Sequence, residues 1–219
     1  MKIRSRIATG LCALLAALTL STVVNPNPAG AINPAQTTEA GVVNTLNGDL
    51  DYYWKWYMQK WGRSFTSARI NYFNVDTNTG VSGCGTVRVS QLGIACGYNR
   101  IWIAYNANQA KINRYGDYAG GFILAHEYGH LIQFQLGSAY NPKSVQGREL
   151  FADCMAGTFS RWEWNRGRIN SSDFYEAVNT IRSFGPASQG YPQPETRVSW
   201  FNYGFQNNDP NVCFKVLAY

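Results

Sequence analysis

"LAHEYGHLIQFQ", residues 124–135, contains the only two histidines of the 219-residue chain, His126 and His130. Positions four apart on a helix lie on one face, one turn above the other. Two imidazoles so placed can grip one ion from a single turn. Glu127 stands roughly 100° round the helix from His126, so its carboxylate reaches a water beside such an ion rather than the ion itself. The neighbours say what kind of helix this is. Phe122, Ile123, Leu124, Leu131, Ile132, Phe134 and Leu136 make it apolar on most sides, which is the pattern of a buried helix. Imidazoles and a carboxylate inside it need partners, and H-E-x-x-H on a helix points to zinc.

A catalytic zinc takes three protein ligands, and no third histidine exists. The extension H-x-x-G-x-x-H is absent, because Gln133 and Leu136 occupy its Gly and His positions. That leaves a carboxylate from a second helix. "RELFADCMAG", residues 148–157, places Glu149 and Asp153 four apart on one face. This is the E-x-x-x-D arrangement of the two-helix glutamate zincins. There the Glu is a ligand, and the Asp holds a ligating histidine by its other ring nitrogen. A solvated acidic face is the competing reading. Leu150, Phe151, Ala152, Met155, Ala156 and Phe159 leave little room for one. Gly129 and Gly157 are costly in helix interiors; they either allow close helix approach or are incidental.

The rest of the chain supplies the setting. Lys2, Arg4 and Arg6 precede an apolar run over 7–24, and Ala29-Gly30-Ala31 follows, so residues 1–31 read as a secretory signal peptide. An uncleaved anchor is the competing reading, against which the run is short for a span. Cleavage removes three basic residues and no acidic ones, lowering the net charge from +6 to +3. No basic cluster stands out, so a nucleic-acid partner is not expected, nor is stable membrane insertion after cleavage. Residues 32–219 are read as one domain, with 32–40 a loose lead. Its four cysteines, Cys84, Cys96, Cys154 and Cys213, are an even number in an exported chain, which suggests disulfides in one of three connectivities.

Apolar spacing predicts a helix over 42–61, stopped by Gly62, with an aromatic stripe read as core. Short strands are predicted at 68–75, 85–90 and 100–105, with Gly-rich turns between the last two. Helices are predicted at 118–136, 146–165 and 172–183, the last with a serine cap and Gly185 as its stop. The tail from 186 to 219 reads as Pro/Gly/Asn-rich with an aromatic patch at Trp200, Phe201 and Tyr203. Helix, short strands, then helices is an α+β pattern: a mostly helical zincin-like domain with a small β-sheet.

Taken together, "LAHEYGHLIQ" and "RELFADCMAG" resemble the bacterial neutral zinc metallopeptidases. So do Cys84-Gly85 with "ACGYNRIWI" (95–103), "RVSWFNYGFQNNDPNVC" (197–213) and "LNGDLDYYWKWY" (46–57). The resemblance implies one Zn²⁺ on His126, His130 and Glu149, Glu127 as catalytic base, and disulfides Cys84–Cys96 and Cys154–Cys213. The chain also departs from the family. Where the family carries His-Gly-Ser ahead of the tail arginine, this chain has "YPQPETR", with Tyr191 near the histidine's place, and the usual Cys-Pro is Cys96-Gly97. If that histidine steadies the transition state, Tyr191 or Arg197 must take its part.

The expected function is therefore a secreted zinc peptidase, released or held at the cell envelope, that cuts peptide or protein substrates. A zinc-activated water attacks, and Glu127 is its general base. The strand at 100–105 is either a core strand or the edge along which a peptide adds. The alternatives are an exported zinc-binding module without hydrolysis and a zinc hydrolase of non-protein amides such as those of cell walls. An intact Glu127 favours hydrolysis, since a structural zinc has no use for it.

Overall fold

The computed structural model describes residues 38–74, 80–81, 84–86, 91–97, 99–184 and 190–218. The signal peptide read at 1–31, the lead at 32–37, and parts of the strands read at 68–75 and 85–90 lie outside these residues. Among the described residues no helix is long and apolar enough to cross a membrane.

Helix α1 (Glu39–Lys60) opens on Thr38, whose hydroxyl accepts the Gly41 N–H. Its apolar face, from Val42 through Leu46, Leu50 and Trp54 to Met58, is buried in the core. The aromatic stripe is core: Tyr53 and Trp54 are buried and Tyr57 and Trp61 pack against the buried cluster, while Tyr52 and Trp56, outside the stripe, face solvent. Strand β1 (Arg69–Phe73) then pairs in parallel with β5 (Arg100–Ala104), and β4 (Gly93–Cys96) pairs antiparallel with the other side of β5. The pair β2 (Gly80–Val81) and β3 (Gly85–Thr86) forms a separate small ladder. The disulfide Cys84–Cys96 ties its start to the end of β4.

Two of the sequence expectations change here. The 100–105 segment is the central strand of its sheet, so it is core and not the peptide-binding edge. Its outer strands are β1 and β4, and β4 lies in the Gly-rich stretch read as turns. Its Gly and Ala carry little strand propensity, and pairing with β5 overrides that.

Helix α2 (Tyr105–Tyr115) follows β5 directly and was not expected. Only Asn108 and Ile112 of its residues are buried, so it shows no apolar period to read. Helix α3 (Tyr118–Leu136) is buried almost all round, as its composition requires. A short loop with a 3-10 turn at Ser138–Tyr140 leads to α4 (Val145–Asn165), capped by Ser144 accepting the Gly147 N–H. Helix α5 (Ser171–Arg182) is capped by Asn170 in a capping box with Asp173, not by a serine. Gly185, read as its stop, lies outside the described residues.

Helix α6 (Pro194–Asn207) lies in what reads as an irregular tail. Pro194 at its first turn is a helix-start signal. Gly204 on α6 and Gly157 on α4 explain how close the two helices come. A Cβ on Gly157 would overlap the Phe201 carbonyl oxygen, and one on Gly204 would overlap that of Cys154. The 3-10 segment Pro210–Ala218 is then held to α4 by the disulfide Cys154–Cys213. The architecture is α+β and mostly helical, with α3 at its centre.

Candidate metal centre and active site

The α3–α4 contact builds the site. A Cβ on Gly129 would stand 2.7 Å from the Ala152 Cα and 2.9 Å from its carbonyl oxygen. Absence of that Cβ lets the two backbones close together between the histidines of α3 and the acids of α4. His126 Nε2 then lies 3.3 Å from Glu149 Oε2, and His130 Nε2 lies 3.5 Å from Glu149 Oε1. Ligand atoms of all three residues fall within 4.8 Å of one another.

Each imidazole is held by its other nitrogen. His126 Nδ1 is 2.9 Å from Asp153 Oδ1, and His130 Nδ1 is 2.9 Å from Gln133 Oε1. Because Gln133 Nε2 donates to the Arg148 carbonyl at 2.9 Å, its Oε1 is the end left to accept from His130. With Nδ1 of each ring given to Asp153 or Gln133, Nε2 is the nitrogen that faces Glu149. Asp153, fully buried, is gripped by Arg197, whose Nε and Nη2 donate to its two oxygens at 2.7 and 2.9 Å. Arg197 Nη2 also comes within 3.4 Å of Glu149 Oε2, and its guanidinium lies over the Phe184 ring.

This cluster is strongly polarised. Burial alone would lower the His126 pKa, but Asp153 and Glu149 outweigh it and raise it to about 9. Burial would raise Glu149, yet the two histidines hold it well below the usual carboxylate range. Asp153 is likewise held low against burial, by Arg197 and His126. A site that binds a proton this firmly between carboxylates and imidazoles is one that a divalent cation can take over.

The donor set fits zinc. Two imidazoles and a carboxylate are the ligands of a three-residue catalytic site. Ligand atoms about 2.0–2.1 Å from one tetrahedral centre stand roughly 3.3 Å apart, which the 3.3 and 3.5 Å separations match. A second acidic group, Asp117, Asp173 and Glu176, fits it less well. It offers no imidazole, and its oxygens accept the Tyr118 and Asn170 amides.

Glu127 sits beside the cluster with 6 % of its surface exposed. Burial raises its pKa, and the two histidines pull against that shift. Its carboxylate accepts the Ala95 N–H of β4, while Oε2 is buried without a partner. Gly93 makes room for it, since a Cβ there would stand 2.6 Å from Glu127 Oε1. The edge of β4 thus faces α3 directly at the glutamate.

His126, Glu127, His130, Glu149, Asp153 and Arg197 come together in one buried group. Tyr191 stands ahead of α6 and is 41 % exposed. Arg197 is inside the group, but its guanidinium is committed to Asp153. Three contributors escape a reading of the sequence. Gln133 had a signal, being three residues past His130 on the same face. Gly93 had a weaker one, as a lone glycine in a strand often marks close approach. The Ala95 amide had none.

Comparison with known proteins gives the family of the chain. The chain is 25 % identical over 210 residues to the uncharacterized protein YpfJ of Escherichia coli (strain K12), covering 84 % of this chain and 73 % of that one. It is 28 % identical over 129 residues to the uncharacterized proteins Mb2605 of Mycobacterium bovis and Rv2575 of Mycobacterium tuberculosis (strain H37Rv), covering 45 % of this chain and 44 % of each of those. No solved structure matches. A family profile matches residues 15–215, nearly the whole chain, and with it both ligand-bearing helices. The chain belongs to the family described as "Putative neutral zinc metallopeptidase".

Proposed function

We propose that the chain is an exported zinc peptidase of the glutamate-zincin type, with one Zn²⁺ held by His126, His130 and Glu149. A single arrangement carries the reading. The Nε2 atoms of His126 and His130 and the Glu149 carboxylate converge, and Glu127, whose Oε2 is buried without a partner, lies next to them. Zinc, when bound, supplies a Lewis acid that acidifies water towards pKa ~7 and polarises a carbonyl.

The chain's own groups do the rest. Glu127 Oε2 accepts a proton from the attacking water as the new C–O bond forms at the peptide carbonyl. It then delivers that proton to the nitrogen of the leaving amine as the C–N bond breaks. Burial raises its pKa, which is the direction that suits a group that takes and returns a proton. Asp153 and Gln133 keep the ligand rings in the tautomer that leaves Nε2 free. Arg197 is a positioning residue, acting through Asp153, and Tyr191 is the side chain left to donate to the developing oxyanion. Among the described residues β4 is an outer strand of its sheet, and an extended peptide is received alongside it, antiparallel addition being the more stable mode.

Zinc content and cleavage of a peptide library test this for wild type, Glu127→Gln and Glu149→Ala. Glu127→Gln is expected to keep zinc and lose cleavage by a factor of roughly 100 or more. Glu149→Ala is expected to lose both. Equal cleavage by wild type and Glu127→Gln, or full zinc occupancy in Glu149→Ala, would refute the assignment. If Tyr191→Phe cleaves as fast as wild type, its role falls while the rest stands.

A further inference from the structure

The chain carries two disulfides in different settings. Cys154–Cys213 joins α4 to the 3-10 tail, and both of its residues are fully buried. Cys84–Cys96 joins the residue before β3 to the last residue of β4, and both of its residues are partly exposed. Thiol exchange needs access to a sulfur, so Cys84–Cys96 is the bond that a reductant meets first in the folded chain.

That bond sits one residue from the contact that holds Glu127. The Ala104 N–H donates to the Leu92 carbonyl at 2.9 Å. Pairs in an antiparallel ladder alternate between bonded and non-bonded. Ile94 and Cys96 are therefore bonded to Trp102 and Arg100, and the backbone of Ala95 turns away from β5. It turns towards α3, where the Ala95 N–H meets the Glu127 carboxylate. Gly93, the other outward residue, passes so near that a Cβ on it would stand 2.6 Å from Glu127 Oε1. Strand β4 is four residues long, and among the described residues β5 is its one partner strand. Its far end is closed by Cys96 through Cys84, which packs on the Phe73–Ala104 cluster with Ile94 and Trp102. The metal ligands have no such dependence, because Gly129, Gln133 and Asp153 hold them through α3 and α4.

We infer that the Cys84–Cys96 disulfide is a positioning element for the catalytic base: it keeps β4 against Glu127, and its reduction lowers cleavage while the metal stays bound. The inference rests on the peptidase reading above and adds a redox control of that site. The reductant is a dithiol. One of its thiolates attacks a sulfur of the bridge to give a mixed disulfide, which its second thiol resolves. Two electrons and two protons pass to the protein, Cys84 and Cys96 become thiols, and the dithiol becomes a cyclic disulfide.

The test compares the zinc-loaded full chain before and after mild reduction, and with the double variant Cys84→Ser, Cys96→Ser. A tertiary phosphine replaces the dithiol, which would compete for zinc; it yields the same two thiols and becomes the phosphine oxide with oxygen from water. Thiols, zinc content, peptide cleavage and residue-resolved amide exchange are measured. Two thiols are expected, at Cys84 and Cys96. Exchange at the Ala95 amide should quicken about tenfold or more, while α3 around His130 keeps its protection and zinc is retained. Cleavage should fall about 10- to 100-fold, as for a catalytic group misplaced by about 1 Å, and return on re-oxidation. If the double variant does not fold, reduction of the folded wild type gives the same readouts. A bridge that resists the phosphine, or a Cys154–Cys213 bond that opens first, overturns the inference. Once two thiols are counted, unchanged Ala95 exchange, or unchanged cleavage in a chain that cleaves, also overturns it. So does a loss of cleavage that takes zinc or the α3 protection with it, because that is general unfolding. Ala95 exchange that follows the disulfide in a chain that cleaves nothing, oxidised or reduced, overturns the peptidase reading and keeps the positioning of Glu127.

Discussion

Replacing Gly129 by Ala sets two effects against each other. Helix propensity alone favours alanine inside a helix by about 1 kcal/mol, so a secondary-structure argument predicts a stabler protein. The structure predicts the opposite. The new Cβ would stand 2.7 Å from the Ala152 Cα, and the atom it meets is backbone, not a side chain that can swing away. Carbon atoms need about 3.5–4.0 Å, so α3 and α4 must part by roughly 1 Å. Overpacking of this kind costs about 1–3 kcal/mol. Net of propensity, we expect a loss of about 1 kcal/mol, or roughly 2–4 °C in Tm for a domain of this size.

The effect on metal binding should be larger than that on stability. His126 and His130 are on one side of the contact and Glu149 is on the other, separated by 3.3 and 3.5 Å. Metal–ligand distances tolerate about 0.2 Å, so a 1 Å opening breaks the set. Thermal melting of the zinc-free chain and a competitive chelator titration measure the two quantities separately. A higher Tm with unchanged zinc affinity would show that the helices are not in the close contact described here.

Three further outcomes follow from the supporting residues and from a buried acid. Gln133→Leu should weaken zinc binding about 10- to 100-fold by freeing the His130 ring, read by the same titration; unchanged affinity would remove Gln133 from the site. Arg197→Gln should cost about 3 kcal/mol or more in denaturant unfolding, because it leaves the Asp153 carboxylate buried beside His126 alone. A loss below 1 kcal/mol would mean that Asp153 is not ionised. Glu39 is fully buried with both oxygens unpartnered, and burial raises its pKa to about 7. The folded-state value lies above the unfolded one, so its contribution is complete below about pH 4.5 and is lost as pH rises through about 7. Glu39→Gln should therefore leave Tm unchanged at pH 4 and raise it at pH 8. Parallel Tm curves for the two proteins would contradict this.

The elements that read well share one property: their apolar residues repeat at the helical period. This holds for α1 and α4, and the all-round apolar pattern of α3 made its burial legible too. What escaped was decided by packing elsewhere. Helix α2 buries only two side chains, so its sequence shows no period. In α6 the small face is built from Gly204 against Gly157, and a glycine reads as a break unless its partner helix is known. The polypeptide around β4 is too glycine-rich to announce a strand, and it becomes one because β5 offers it a ladder.

The sequence by itself determined the identity of the chemical groups. Two histidines stand four apart in one H-E-x-x-H turn, the chain has no third imidazole, and Glu149 and Asp153 stand four apart on the next helix. Those are local facts, set by spacing along each helix and by composition. The tertiary structure decided how the groups are held and what reaches them. Gly129 sets the distance between α3 and α4, Gln133 and the Asp153–Arg197 pair orient the rings, and Gly93 and Ala95 bring β4 against Glu127. None of these can be read from spacing, because each depends on which backbone another element places against it.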